Sequence, residues 1–276
     1  MITQKIYSKL KYLIKSSKNK KNIIDNNYVP VLFVEGFVTW DEAKSNSIGY
    51  DSDLILEKCF NSIMKVIDGK SVYERDSVLF DKKEYSIGVI SSLFLAAKDN
   101  QNKLTIMDFG GSFGSTYFQN AEFFSFFDSV KWGVVEQTNF YKIAKEEVEN
   151  ENLLFFDSYQ KCMEQICPKL ILISSSLQYL ENPDNFLNIL NNSFVDYIVF
   201  DRTPFSVSEN FITVQTVPET IYKASYPCWI FNKDWLLRIL SNYEIINEFP
   251  SYCDPIQLTN QGKEIFFSGF ILKCKK

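Results

Sequence analysis

From about residue 104 onward, short apolar runs alternate with longer stretches whose apolar positions recur every three or four residues. That is the pattern of strands feeding helices. The runs Leu104–Phe109, Val130–Glu136, Leu153–Phe156, Leu170–Ser174 and Tyr197–Asp201 predict strands. Gly114–Phe127, Asn139–Asn150, Tyr159–Ile166 and Pro183–Leu190 predict the helices between and after them, the last opening with proline in its first turn. The next stretch holds Pro204, Pro218 and Pro227 and reads as irregular, followed by a helix over Lys233–Ser241. Tyr243–Phe249 and Ile265–Lys273 read as closing strands with no helix between them, so they pair antiparallel. Alternation of this kind predicts an α/β chain, its mostly parallel sheet covered by helices on both faces and finished by an antiparallel hairpin. Ligands then bind outside the carboxyl ends of the strands.

Before residue 104 the pattern changes. Asp51–Asp68 and Glu84–Ala97 read as helices, with the charged and aromatic stretch GKSVYERDSVLF (Gly69–Phe80) between them. We expect three parts: a basic arm at 1–27, a helical cap at 28–100 that sits on the sheet domain and is not an independent domain, and the α/β domain at 101–276. In the arm, Ile2, Ile6, Leu10, Leu13 and Ile14 fall near one helical face among lysines. Such a helix lies on an anionic membrane surface, docks on a protein, or stays solvated ahead of a lysine/asparagine linker.

Charge sharpens this division. Residues 1–27 carry a net +6 while the whole chain carries −5, which leaves −11 on the remainder. An acidic body argues against a nucleic-acid partner. The N-terminus lacks the apolar core and cleavage site of a secretory leader, and no apolar run approaches a membrane span, so the expected location is cytoplasmic, with a peripheral membrane contact through the arm left open. The 276 residues contain no histidine, which excludes Ser-His-Asp and Cys-His catalysis and histidine as a metal ligand or base. The six cysteines show no CxxC pair, so no metal site is expected and the thiols read as reduced.

The chemistry centres on IMDFGGSFGSTYF, Ile106–Phe118. A P-loop would need a lysine after the glycines, and none follows; a dinucleotide fingerprint would need GxGxxG, and the glycines are displaced from it. Asp108 ends the strand just before them. A carboxylate there opposes a pyrophosphate and suits a cationic ligand, either directly or by ordering the loop. The row Asp108-x-Gly110-x-Ser112-x-Gly114 resembles the D-x-G-x-G-x-G motif of class I S-adenosylmethionine-dependent methyltransferases, with serine for the middle glycine. That resemblance implies their Rossmann-like sheet and S-adenosylmethionine as cofactor. Taken together, GFVTWDEAKSNSIGYD, YERDSVLF, DFGGSFGSTYFQN, VVEQ, SSSLQYL, DRTPF and ASYPCWIF resemble one bacterial methyltransferase family of unassigned substrate, often associated with surface-polysaccharide biosynthesis.

The resemblance implies cofactor contacts at Asp108, Gly110, Gly111, Ser112 and Gly114 of the loop. It adds Glu136 on the ribose hydroxyls beside Gln137, Asp157 and Ser158 toward the adenine, and Ser175 after the fourth strand. Methyl transfer to a hydroxyl of a sugar or other small polar acceptor benefits from a base. Without histidine the candidates are Asp201, Asp76 and Tyr179. Glu74, Arg75, Gln178, Arg202, Tyr226 and Trp229 are the acceptor-side candidates. The pair Pro227-Cys228 echoes a nucleophile motif of cytosine methyltransferases but follows the wrong strand, and aromatic lid packing is its expected role. Two rival readings stay open: a non-catalytic S-adenosylmethionine-binding scaffold of an assembly complex, and a nicotinamide-dependent sugar oxidoreductase.

Overall fold

In chain order the elements begin with β1 (Leu32–Phe37), α1 (Trp40–Ser45), α2 (Asp53–Ile67), the hairpin β2 (Tyr73–Arg75) and β3 (Val78–Phe80), and α3 (Ile87–Lys98). The β-α units follow: β4 (Lys103–Phe109) and α4 (Ser115–Asn120), β5 (Ser129–Val135) and α5 (Thr138–Glu147), β6 (Leu153–Phe156) and α6 (Tyr159–Ile166), β7 (Leu170–Ser174) and α7 (Pro183–Asn191). The chain closes with β8 (Tyr197–Ser206), β9 (Phe211–Thr216), β10 (Ser225–Asn232), α8 (Lys233–Ile239), β11 (Tyr243–Pro250), β12 (Gln257–Leu258) and β13 (Glu264–Cys274). This computed structural model describes residues 32–48, 53–218, 221 and 223–275; the basic arm expected at 1–27 lies outside them.

Strands β6-β5-β4-β7-β8 run parallel in that spatial order. Numbered from β4, this is the 3-2-1-4-5 order of the doubly wound fold, whose order reverses between the first and fourth strands and leaves a crevice at their carboxyl ends. β13 pairs antiparallel with the outer edge of β8, and β11 with β13, as the closing hairpin predicted. Period-two burial splits the core into two layers. Leu104, Ile106, Leu170 and Leu172 face α2, α3 and α5, while Met107, Ile171 and Ile173 face α6, α7 and α8.

Three corrections follow. The predicted helix Gly114–Phe127 stops at Asn120 and continues as a 3-10 turn over Ala121–Phe126. The stretch read as irregular is largely strand. β8 runs on to Ser206, past its last pairing with β7 at Asp201. There β10 takes the vacated place, pairing Phe231 with Phe205 and Asn232 with Ser206. Antiparallel pairing of β10 with β9 and of β9 with β1 completes a limb beyond the carboxyl end of β7. Pro204 and Pro227 are tolerated because each has a paired strand on one side only.

The third correction concerns residues 28–100, expected as a helical cap. They supply β1 to the main sheet, and α3 lies directly on that sheet against β4 and β8. Gly88 of α3 is pressed so close to Phe249 that an added Cβ would meet the ring at 2.1 Å. Residues 31–276 form one unit, with no division near residue 100.

Candidate functional site

The loop after β4 is built on left-handed backbone, with φ of +72° at Gly110, +53° at Ser112 and +88° at Gly114. Serine in that region is strained, which is common at functional sites. Two glycines are required by close approach. A Cβ on Gly110 would lie 2.5 Å from Ser176 Cβ, and one on Gly111 would lie 2.6 Å from Asp108 Cγ. Ser176 seals the same contact by donating its hydroxyl to the Phe109 carbonyl at 2.6 Å.

Asp108 sits under this loop, only 1% exposed. Its Oδ2 accepts from Trp132 Nε1 at 3.1 Å. Burial pushes its carboxyl up to about 7, against the pull of the indole hydrogen bond and with a push from Glu136. Its carboxyl lies against Gly111, where an added Cβ would meet it, and its hydrogen bond goes to Trp132.

A cavity of about 380 Å³ opens over the carboxyl ends of β4 to β7. That is within the roughly 300–1,000 Å³ range of small-molecule sites. Gly110, Glu136, Gln137, Asp157, Ser158 and Ser175 all border it. Asp108, Gly111, Ser112 and Gly114 do not. Glu136 is half-buried. Its Oε1 accepts from Ser112 N–H at 2.9 Å and Oε2 from Gln137 N–H at 2.8 Å. Burial raises its carboxyl above the usual range, while those two amides hold it down. Asp157 is held by Lys161 at 2.8 Å.

The turn after β7 forms the opposite rim. Ser175 takes a φ of +52° and donates its N–H to the Asp201 carbonyl at 2.9 Å. Gln178 donates Nε2 to Ser175 Oγ at 3.1 Å, while its Oε1 is buried without a partner. Tyr179 borders the cavity and donates its hydroxyl to Gln215 Oε1 on β9 at 3.0 Å. Its ring meets that of Tyr226 edge-on at 5.0 Å. The antiparallel limb thus leans on the rim of the cavity. Trp229, further along β10, stacks between Trp40 and Phe231 away from that rim.

The expected bases fall out differently from one another. Asp201 is 2% exposed, and both its oxygens are occupied, by Ser86 Oγ at 2.9 Å and Ser174 Oγ at 2.8 Å. Burial raises its carboxyl. It does not border the cavity, and it anchors the N-terminus of α3 to β8 instead of standing free. Asp76 lies in the β2–β3 turn, 60% exposed, paired with Arg202 at 2.8 Å. Arg202 also binds Asp254 at 2.9 Å, so this trio is an ion-pair network. Arg75 stacks on Phe80 and Tyr252, and Glu74 turns toward Ser115. Cys228 is fully buried, and burial drives its thiol far up, which fits packing and not nucleophilic attack.

Sequence reasoning missed Ser86, Trp132, Ser176 and Gln215. Only Ser176 carried a signal, as part of SSSLQYL. The others come from elements whose neighbours are distant in sequence.

No family model matches the chain, and no curated protein matches it. Solved structures do. The chain is similar to an S-adenosylmethionine-dependent methyltransferase from Clostridium acetobutylicum ATCC 824, 10% identical over 79% of this chain and 100% of that one, with a TM-score of 0.43. It is similar to a magnesium protoporphyrin IX methyltransferase from Synechocystis PCC 6803 with bound SAM, 10% identical over 80% and 99%, TM-score 0.39. The N-terminal domain of EvdMO1 with SAH bound is 13% identical over 69% and 82%, TM-score 0.41.

Proposed function

We propose that this chain is an S-adenosylmethionine-dependent methyltransferase acting on a hydroxyl of a sugar or small polar acceptor. The observation that carries the reading is the cavity at the β4/β7 switch point, bordered by Gly110 of the glycine loop and by the Glu136 carboxylate. The donor set fits this cofactor. A carboxylate at the end of β5 accepts from a vicinal diol, and Asp157 and Ser158 flank the position of a base. Among the described residues no lysine or arginine borders the cavity to hold a phosphate. The bound cofactor supplies a methyl group already activated for in-line displacement.

The protein's part is to align the acceptor and exclude water. Tyr179 and Gln215 are placed for the first task, at the junction of the rim and the antiparallel limb. Of the three groups proposed for acid–base work, Tyr179 is the one bordering the cavity. The role in surface-polysaccharide biosynthesis rests on the resemblance of the motif set. No helix among the described residues is long and apolar enough to cross a membrane. We assign a cytoplasmic location, with the basic arm available for an anionic surface or a protein partner.

Calorimetry tests the reading. Micromolar binding of S-adenosylmethionine and S-adenosylhomocysteine, weakened roughly 10- to 100-fold in Glu136→Ala, is expected for loss of charged hydrogen bonds. No binding of either by the intact chain, with binding of a nicotinamide dinucleotide instead, overturns it. Binding without turnover across sugar acceptors would convert the reading to a scaffold.

A further inference from the structure

The outer face of one helix departs from the usual surface pattern. α3, IGVISSLFLAAK, carries no charge before its last residue, Lys98. Its inner side, through Val89, Leu93 and Ala96, packs into the core against the sheet. A helix at a protein surface ordinarily turns polar residues to solvent on the other side. Here that side holds Ile87, 72% exposed, and Phe94, 40% exposed. Seven residues apart, they share one stripe of the helix. Half-buried Ile90 and Ser91 lie between them. The 3-10 turn beside the helix widens the stripe: Phe126, 63% exposed, meets the Phe94 ring at 5.9 Å. Apolar residues scattered singly over a surface are ordinary, whereas a contiguous group of them marks a contact surface.

The order of residues along the stripe indicates what fits it. From Glu84 to Lys98 it reads acid, isoleucine, isoleucine and serine, phenylalanine, base, and it is close to symmetric about Ser91. A second copy related by a twofold axis at that point would run its α3 antiparallel to the first. Ile87 of each copy would then meet Phe94 of the other. Ser91, the smallest side chain of the stripe, would lie at the crossing, where small residues let helix axes approach. Glu84 would meet Lys98 in both halves at once. Both are exposed and open to such pairing. The ion pair of Glu84 with Arg75 is long, at 4.0 Å, and among the described residues no ion pair includes Lys98. A lipid surface fits the stripe less well. Glu122 and Asp128 flank Phe126 in the chain and Glu84 precedes the helix, and anionic headgroups repel all three.

We propose that the outer face of α3 is a self-association surface, pairing antiparallel with α3 of a second copy of this chain through Ile87, Phe94 and Phe126, with Glu84 and Lys98 exchanged across the axis. The stripe is smaller than the core of an obligate interface, so the dimer should dissociate in the micromolar range. Its formation does not depend on the methyltransferase reading.

Sedimentation equilibrium of the full chain over a micromolar range of concentrations tests the proposal. The average mass should rise from that of one chain towards that of two. Phe94→Glu should stay monomeric throughout. Glu84→Lys and Lys98→Glu should each raise the dissociation constant about fivefold, the scale of two exposed ion pairs lost together. The variant that combines them restores opposite charges across the axis and should regain most of that affinity. A wild-type chain that stays monomeric at every concentration overturns the proposal. A dimer that Phe94→Glu leaves intact also overturns it, because the contact then lies on another face. So does a combined charge variant that dimerises more weakly than either single one. A monomer that co-sediments with phosphatidylserine vesicles, and no longer does so as Phe94→Glu, replaces the second copy with a lipid surface. If circular dichroism shows that Phe94→Glu does not fold, the exposed charge variants decide the matter alone.

Discussion

Carboxylates around the glycine loop and in the antiparallel limb are buried on opposite terms. At the loop, Asp108 and Glu74 have indole, hydroxyl and amide donors, and among the described residues neither forms an ion pair; both are shifted up by burial. In the limb, Glu35 of β1 is 8% exposed, pairs with Lys263 and accepts from Thr259 at 2.5 Å. Burial raises its carboxyl, but the Lys263 and Thr259 hydrogen bonds outweigh that and bring it below the usual value. A carboxylate with its own cation is structural. Carboxylates left without one cost stability, and at the loop neutral donors alone hold them.

The largest effect should come from closing the gap between the loop and its carboxylate. In Gly111→Ala the new Cβ would sit 2.6 Å from Asp108 Cγ, and neither side has room to move. Overpacking of this kind costs about 1–3 kcal/mol. At roughly 2–4 °C per kcal/mol for a chain of this size, melting should fall by several degrees. S-adenosylhomocysteine binding should be lost with it. A variant that melts normally and binds normally would mean that Asp108 does not order the loop.

The pH dependence comes next, and its sign separates the two regions. Asp108 and Glu74 have folded values near 7, above their ordinary values of 3.8 and 4.5. Each holds its proton more tightly when folded, so its contribution is full at low pH and is lost as pH rises through about 7. Glu35 is shifted down, so its contribution is present above the ordinary value of 4.5 and lost as pH falls through its lower folded value. Denaturant titrations should show stability declining as pH rises from about 4 to about 7, by up to about 1.4 kcal/mol per pH unit for each group. Asp108→Asn should remove its share, roughly half of that decline. Glu35→Gln should leave it intact and change stability only in acid. A decline unchanged in Asp108→Asn would place the titrating group elsewhere.

The same two regions differ in how far the sequence disclosed them. Every strand from β4 to β8 was legible, because a buried strand between crossover helices writes its own apolar run; LILIS of β7 is the clearest case. The loop was legible because Asp108, Gly110 and Gly114 keep a fixed spacing forced by local backbone geometry. The limb was not. β1 pairs with β9 about 180 residues away, so neither strand's register is set by anything nearby. Pro204 and Pro227 argued against strands, and only the one-sided pairing explains them. The surroundings of Asp201 were hidden for a related reason: it is not at a strand end, since β8 runs on to Ser206, and Ser86 reaches it from the start of α3, 115 residues earlier.

A smaller effect, on turnover alone, is expected where the limb meets the rim. Gln215→Ala removes the acceptor of the Tyr179 hydroxyl bond, worth about 1 kcal/mol. Cofactor affinity should change less than twofold, because Gln215 does not border the cavity. Turnover with a sugar acceptor should fall about fivefold through a freer Tyr179. Equal loss of cofactor binding would place the limb in the cofactor site and erase the distinction between cavity and limb.

The smallest effect tests whether the limb carries chemistry beyond Tyr179 and Gln215. Trp229 stacks between Trp40 and Phe231, and its Nε1 is buried with no hydrogen-bond partner among the described residues. An orphaned buried N–H costs about 1–3 kcal/mol, so replacing it with an apolar edge recovers stability. Phenylalanine is smaller, and the space it leaves costs a similar amount. Trp229→Phe should therefore melt within about 2 °C of wild type, the scale of half a kcal/mol or so. If the ring is only packing, turnover will not change either. If an acceptor reaches Nε1, turnover will fall while melting and cofactor binding stay level. Trp229 would then join the acceptor wall, which would extend along β10 beyond the junction with Tyr179.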